Sequence, residues 1–358
     1  MSTTPTARST VADHEKIADA ATGDFARIEP EQVSLKEKLH QFFHQYPVAA
    51  PTIVLLAAIA LFSALVGDRF LHPFNLSLIL QQVTIIGILG AAQTLIILTA
   101  GIDLSVGAVM VLTSVVMGRM AVEVGLPAGL ALSLGLIAGA ATGWINGMLV
   151  TRFRLPPFIV TLGTWNIFFA LNLWYSRSET IRSQDIDAAA PLLHWTGTAF
   201  EFLGARFTYG ALLMLALFVV LWYALKCTAW GKHVYATGDD PGAARLAGIR
   251  VERVLLSVYV VAGVLCAVAA WALIGRIGSV SPQAGMMANL DSITAVVIGG
   301  TSLFGGRGSI FGTLVGALVV GVFRNGLALA GVDVLWQDFT VGLLIIVAVG
   351  VDQWIRKV

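Results

Sequence analysis

The sequence predicts an all-α, polytopic membrane helical bundle of about ten transmembrane spans. Three observations carry that expectation. Of the 358 residues, 57% are hydrophobic and only 12% charged, about half the charged share of a soluble domain. Such a chain cannot cover its own surface with polar groups, so water is the wrong solvent for it. Uncharged stretches then run through residues 48–67, 70–102, 124–151, 155–176, 207–225 and 254–275, near or above the roughly 20 residues a spanning helix needs. Finally, many of the 37 glycines recur every fourth residue, the spacing that lets helices approach closely in lipid.

The elements follow in order. Residues 1–47 are polar and read as an N-terminal tail, disordered to about residue 30. Within it, SLKEKLHQFFHQY at 34–46 opens on a capping box of Ser34 and Glu37. Leu35, Leu39, Phe42, Phe43 and Tyr46 fall near one face, which predicts an amphipathic helix lying against the membrane. The membrane domain, 48–352, divides into spans at 49–67, 78–99, 105–121, 127–149, 158–175, 207–225, 254–274, 290–303, 310–329 and 334–352. The eighth is short and glycine-rich, which suits a tilted, broken or re-entrant segment. Residues 353–358 are a short C-terminal tail.

Ten spans put both ends on one side. With both termini cytoplasmic, 15 of the 22 Lys and Arg residues fall on the cytoplasmic side, as the positive-inside rule asks. Loop 176–206 then faces outward and the basic loop 226–253 inward. Glycines 135, 139, 143 and 147, and again 308, 312 and 316 beside Ala317, mark close helix seams. TAGIDLSVGAVMVLTSV and GGTSLFGGRGSIFGTLVGALV both pass from a span through a small-residue turn into a span, suggesting a parallel internal repeat.

Several chemistries have no sequence to carry them. There is no HExxH, nucleophile elbow or Walker A motif, and FGGRG at 304–308 is followed by no Lys-Ser pair. No catalytic or cofactor-binding residue is assigned. Cys227 and Cys266 form no CxxC, so neither a metal site nor a disulfide is indicated. The net charge is +1 with scattered basic residues, without the stripe that nucleic acid requires. Asp103, Asp291, Arg324 and Asp338 are the charges in or beside spans. None is placed securely at mid-depth, which argues against ion-coupled transport. A self-sufficient secondary transporter or channel remains the alternative reading. In TAGIDLSVG, Asp103 with Ser105 can cap the helix that follows; the competing role is a gate that moves when a cytoplasmic subunit engages.

Four segments in order then carry a resemblance: GIDLSVG at 101–107, NGMLVTRFRLPPFIVTLGT at 146–164, GKHVYATGDDPGAARLAGI at 231–249 and AVVIGGTSLFGGRGSIFGTLVGAL at 295–318. Together they resemble the membrane permeases of bacterial sugar ABC importers, those for ribose, xylose, galactose and fructose. The resemblance implies a multi-pass inner-membrane subunit, not itself an enzyme, that passes a monosaccharide from periplasm to cytoplasm. It implies three partners besides the lipid bilayer: a second permease copy in a homodimer, a cytoplasmic ATPase that holds ATP and Mg, and a periplasmic sugar-binding protein. It also implies a coupling helix in 231–249. There Pro241 opens the helix, Ala243, Ala244 and Leu246 give an apolar face, Arg245 offers a charged contact and Gly248 ends it. Candidates for the substrate path are Gln81, Gln82, Gln93, Asn146, Thr161, Thr164, Trp165, Asn166 and Arg324. Each of the uncharged ones can equally make an interhelical hydrogen bond.

Overall fold

A computed structural model describes residues 48–202, 204–285 and 287–357. The amphipathic helix expected at 34–46 lies outside these residues. Among them, seven helices are long and apolar enough to cross a membrane. They are α1 (Ala49–Val66), α3 (Pro73–Leu98), α5 (Ala128–Arg152), α6 (Pro157–Ser176), α8 (Tyr209–Cys227), α11 (Val251–Ile277) and α13 (Ile310–Leu329). Three shorter apolar segments complete the ten expected: α4 (Val106–Val122), α12 (Ala288–Ile298) and the first part of α14 (Val334–Lys357). Between them lie the short helices α2 (Asp68–Leu71), α7 (Ser183–Ala189), α9 (Ala229–Asp239) and α10 (Pro241–Leu246).

Local chemistry sets the helix starts. Pro73 and Pro157 stand at the beginning of α3 and α6, where a missing N–H costs nothing. Thr208 and Thr228 accept backbone N–H groups from Ala211 and Gly231 to cap α8 and α9. The fold is not purely helical. After a 3-10 turn at Pro191–Gly197, strands β1 (Ala199–Phe202) and β2 (Ala205–Thr208) form an antiparallel hairpin with Phe200 opposite Phe207. Trp195 stacks on Tyr209 at 4.9 Å and on Trp271 at 5.5 Å, so the segment expected as a loop is anchored to α8 and α11.

The centre of the bundle is α3, α4 and α11. Fourteen of the 17 residues of α4 are buried, the mark of a helix surrounded by others. Only Pro51, Ala58 and Phe62 are buried in α1, which lies at the periphery. The glycine seams join specific pairs. On α5, a Cβ on Gly139 would stand 2.4 Å from the Gly263 carbonyl oxygen, and one on Gly143 would stand 2.2 Å from that of Tyr259. Backbone therefore meets backbone between α5 and α11. Gly316 places α13 equally close to α12, against the Ala295 carbonyl.

The eighth span is short. α12 has 11 residues, roughly 16 Å of helix and about half the hydrocarbon thickness. Residues 278–285, before it, are non-helical. α4 is entered in the same way, through the non-helical segment 99–105. The starts of these two helices meet: a Cβ on Gly107 would stand 3.4 Å from Asn289 N. The two stretches that echo each other in sequence share a span–turn–span layout but not their contacts, so a repeat is not confirmed.

Candidate functional site

Non-helical backbone inside a membrane bundle has no water to bond, so protein groups must satisfy it. Around residues 102–105 four helices supply those groups. Gln93 of α3 donates Nε2–H to the Asp103 carbonyl at 3.0 Å. Thr161 of α6 accepts the Leu104 N–H at 3.1 Å and lies 3.1 Å from the Ile102 carbonyl. Asn289 of α12 donates to the Leu104 carbonyl at 3.2 Å. Asn146 of α5 donates to Ser105 Oγ at 2.8 Å.

The Asp103 carboxylate then takes both the Ser105 N–H and the Ser105 hydroxyl on Oδ1, each at 2.6 Å. This corrects the expected capping role. Ser105 is the residue at the cap of α4, yet its side chain makes no capping bond. Asp103 sits too early to reach the first-turn N–H groups and instead folds the turn on itself.

The candidate path residues separate accordingly. Gln93, Asn146 and Thr161 are buried and converge on this turn, with Thr164 donating to the Thr161 carbonyl at 3.4 Å. Gln81 is elsewhere, bonded to the Arg206 carbonyl of β2 at 2.9 Å. Gln82 is half-buried, Trp165 is half-buried beside Phe169, and Asn166 is exposed and bonds back to Leu162. Asn289 was missed in the sequence; its place at the start of a short span, two residues before Asp291, was the available signal.

Arg324 has clear partners. It donates to Asp291 at 2.8 Å and lies 3.3 Å from Asp338, tying α13 to α12 and α14. The Asp291 side chain is 16% exposed and that of Asp338 57%. Water screens the second pair more, so Asp291→Asn is expected to lower the melting midpoint in detergent more than Asp338→Asn does. Equal shifts would show that the burial difference carries no energy.

At one end of the bundle α9 and α10 pack behind α3. Asp240 Oδ1 accepts the Gly242 and Ala243 N–H groups at 2.7 and 3.0 Å to cap α10, with Pro241 at its first position. Gly248 closes it at φ +83. The apolar face expected of Ala243, Ala244 and Leu246 divides. Ala244 is buried within the chain, Ala243 is exposed, and Leu246 is 93% exposed. Arg245 bonds Glu252 at 2.9 Å, so it already has an intramolecular partner.

Behind α10 a glycine junction reaches the end of α3. A Cβ on Gly238 would stand 1.8 Å from the Leu98 carbonyl oxygen, which also accepts the Gly306 N–H at 3.0 Å. Tyr235 donates its hydroxyl to the Gly308 carbonyl at 3.0 Å; burial pushes this phenol above its ordinary pKa, which keeps it a donor. Two residues past Leu98, Ala100 adopts φ +60, and the turn at Asp103 follows. The end of α9, which leads into α10, thus meets the end of α3, which leads into that turn, at one small contact.

Comparison with known proteins adds to this geometry. The family described as the permease component of branched-chain amino acid transport systems matches residues 75–349. The fructose import permease protein of Rhizobium meliloti is 55% identical over 358 residues, all of this chain and 99% of that one. Ribose import permease proteins of Bacillus subtilis and Escherichia coli are 38% and 37% identical, covering 90% and 84% of this chain and 98% and 92% of theirs. No solved structure matches. A match across three quarters of a chain whose described residues include ten apolar helices places the protein plainly: it belongs to this family of membrane transport permeases.

Proposed function

We propose that the chain is the permease subunit of an ATP-binding-cassette importer carrying a monosaccharide from periplasm to cytoplasm. The observation that carries this reading is the 55% identity, along the whole chain, to a fructose import permease. The lower identities to ribose permeases favour a ketohexose as cargo. In this reading both termini and the α9–α10 end lie in the cytoplasm, and two copies of the chain enclose the path. α10 docks on the ATPase, and a periplasmic binding protein delivers the sugar to the opposite end. The absence of any nucleotide motif in the sequence fits energy arriving from a separate subunit. Movement of α10 is passed through Gly238 and Gly306 to the end of α3, and so to the turn at Asp103.

The test is uptake by liposomes holding this permease with its ATPase and binding protein, across labelled fructose, ribose, xylose and galactose. ATP-dependent accumulation of fructose above the others is expected. Accumulation against a gradient by the permease alone overturns the reading.

A further inference from the structure

The turn at Asp103 leaves a pattern that transport by an ATPase does not require. Eight buried side-chain N or O atoms lack a hydrogen-bond partner among the described residues, and four of them surround this turn: Gln93 Oε1, Asn146 Oδ1, Asn289 Oδ1 and Tyr259 Oη. The three amide orientations are fixed by chemistry. Flipping Gln93 or Asn289 would set an oxygen against the Asp103 or Leu104 carbonyl. Flipping Asn146 would set one against Ser105 Oγ, whose proton is already given to Asp103. The free atoms are therefore true acceptors. Each is geminal to a nitrogen bonded to residue 103, 104 or 105, so all three lie against the same turn.

Charge points the same way. Asp103 is 4% exposed, and none of the ion pairs among the described residues includes it. A buried carboxylate without a positive partner is costly. One carboxylate and three amide oxygens form a hard donor set, and its formal charge of −1 is balanced by a single positive charge. We propose that this turn binds a monovalent metal cation of the Na⁺ or K⁺ type, held by the Asp103 carboxylate with Gln93 Oε1, Asn146 Oδ1 and Asn289 Oδ1. The ion fastens residues 103–105 to α3, α5 and α12. This site stands whether or not the cargo is a sugar.

The experiment follows thermal unfolding of the purified full chain in detergent while NaCl or KCl replaces choline chloride at constant ionic strength and pH. The wild-type midpoint is expected to rise by a few degrees and to saturate with one of the two ions, as a ligand of the folded state requires. Asn289→Ala should raise the half-saturating concentration at least about tenfold, and Asp103→Asn should abolish saturation. Glu201→Gln, on the exposed hairpin at the other end of α3 from the turn, should keep the wild-type response. A wild-type midpoint indifferent to both ions, or one that rises only as pH falls, overturns the proposal; the second result would mean that a proton occupies the site. Loss of the response in Glu201→Gln would place the ion elsewhere and overturn it too.

Discussion

Leu246→Asp is expected to abolish ATP-driven uptake while leaving the chain folded and inserted. Leu246 is the most exposed large apolar side chain at the α9–α10 end, at 93%, so nothing within the chain depends on it. In the proposed complex it is the natural side chain to enter an apolar groove on the ATPase. An aspartate there loses the burial of a leucine, roughly 1.5–3 kcal/mol, and adds the cost of desolvating a charge. The complex would then hydrolyse ATP without moving sugar, or fail to assemble at working concentrations. Uptake and ATP hydrolysis in liposomes, together with co-purification of the ATPase, measure both. Undiminished uptake in an assembled Leu246→Asp complex would sink the docking role of α10. Ala244→Glu is a poorer probe, because Ala244 is buried and a charge there disturbs the permease itself.

A larger effect on folding is expected from Gly143→Leu. The first carbon of any side chain at 143 would stand 2.2 Å from the Tyr259 carbonyl oxygen, and backbone cannot swing aside as a side-chain tip can. α5 and α11 must part along their length, at a cost of about 3 kcal/mol or more. That separation also pulls Asn146, one turn on, away from Ser105. Gly129→Leu on the same helix meets nothing within 4 Å and should be neutral or slightly stabilising through helix propensity. The yield of folded protein and its melting midpoint in detergent compare the two. A Gly143→Leu protein as stable as Gly129→Leu would show that the seam is not closed by backbone contact.

The spans were readable because apolar runs and charge gaps are local properties, and even the shortness of α12 announced itself in the short run and in the glycines at 299 and 300 that end it. The hairpin at 199–208 was also written locally, in the alternation of Phe200 with Phe202 and of Phe207 with Tyr209. The stretch was expected simply as part of an outward loop, without use of that period-two spacing. Other features depend on distance. Asp103 looked like a cap because its helix lay just ahead; its actual duty became visible only with Gln93, Asn146, Thr161 and Asn289 brought alongside. In α10 six residues are too few for an apolar periodicity, so nothing local distinguishes the buried Ala244 from the exposed Leu246.

The bond from Asn289 to the Leu104 carbonyl spans 185 residues, and this has a bearing on how the chain is made. At about 5–20 residues per second of synthesis, roughly 10–40 s separate the emergence of the two partners. During that interval the N-terminal portion has entered the bilayer with an acceptor still unmet. Biogenesis must therefore hold the early helices loosely, near water or the insertion machinery, and complete the middle of the molecule only after the late ones arrive.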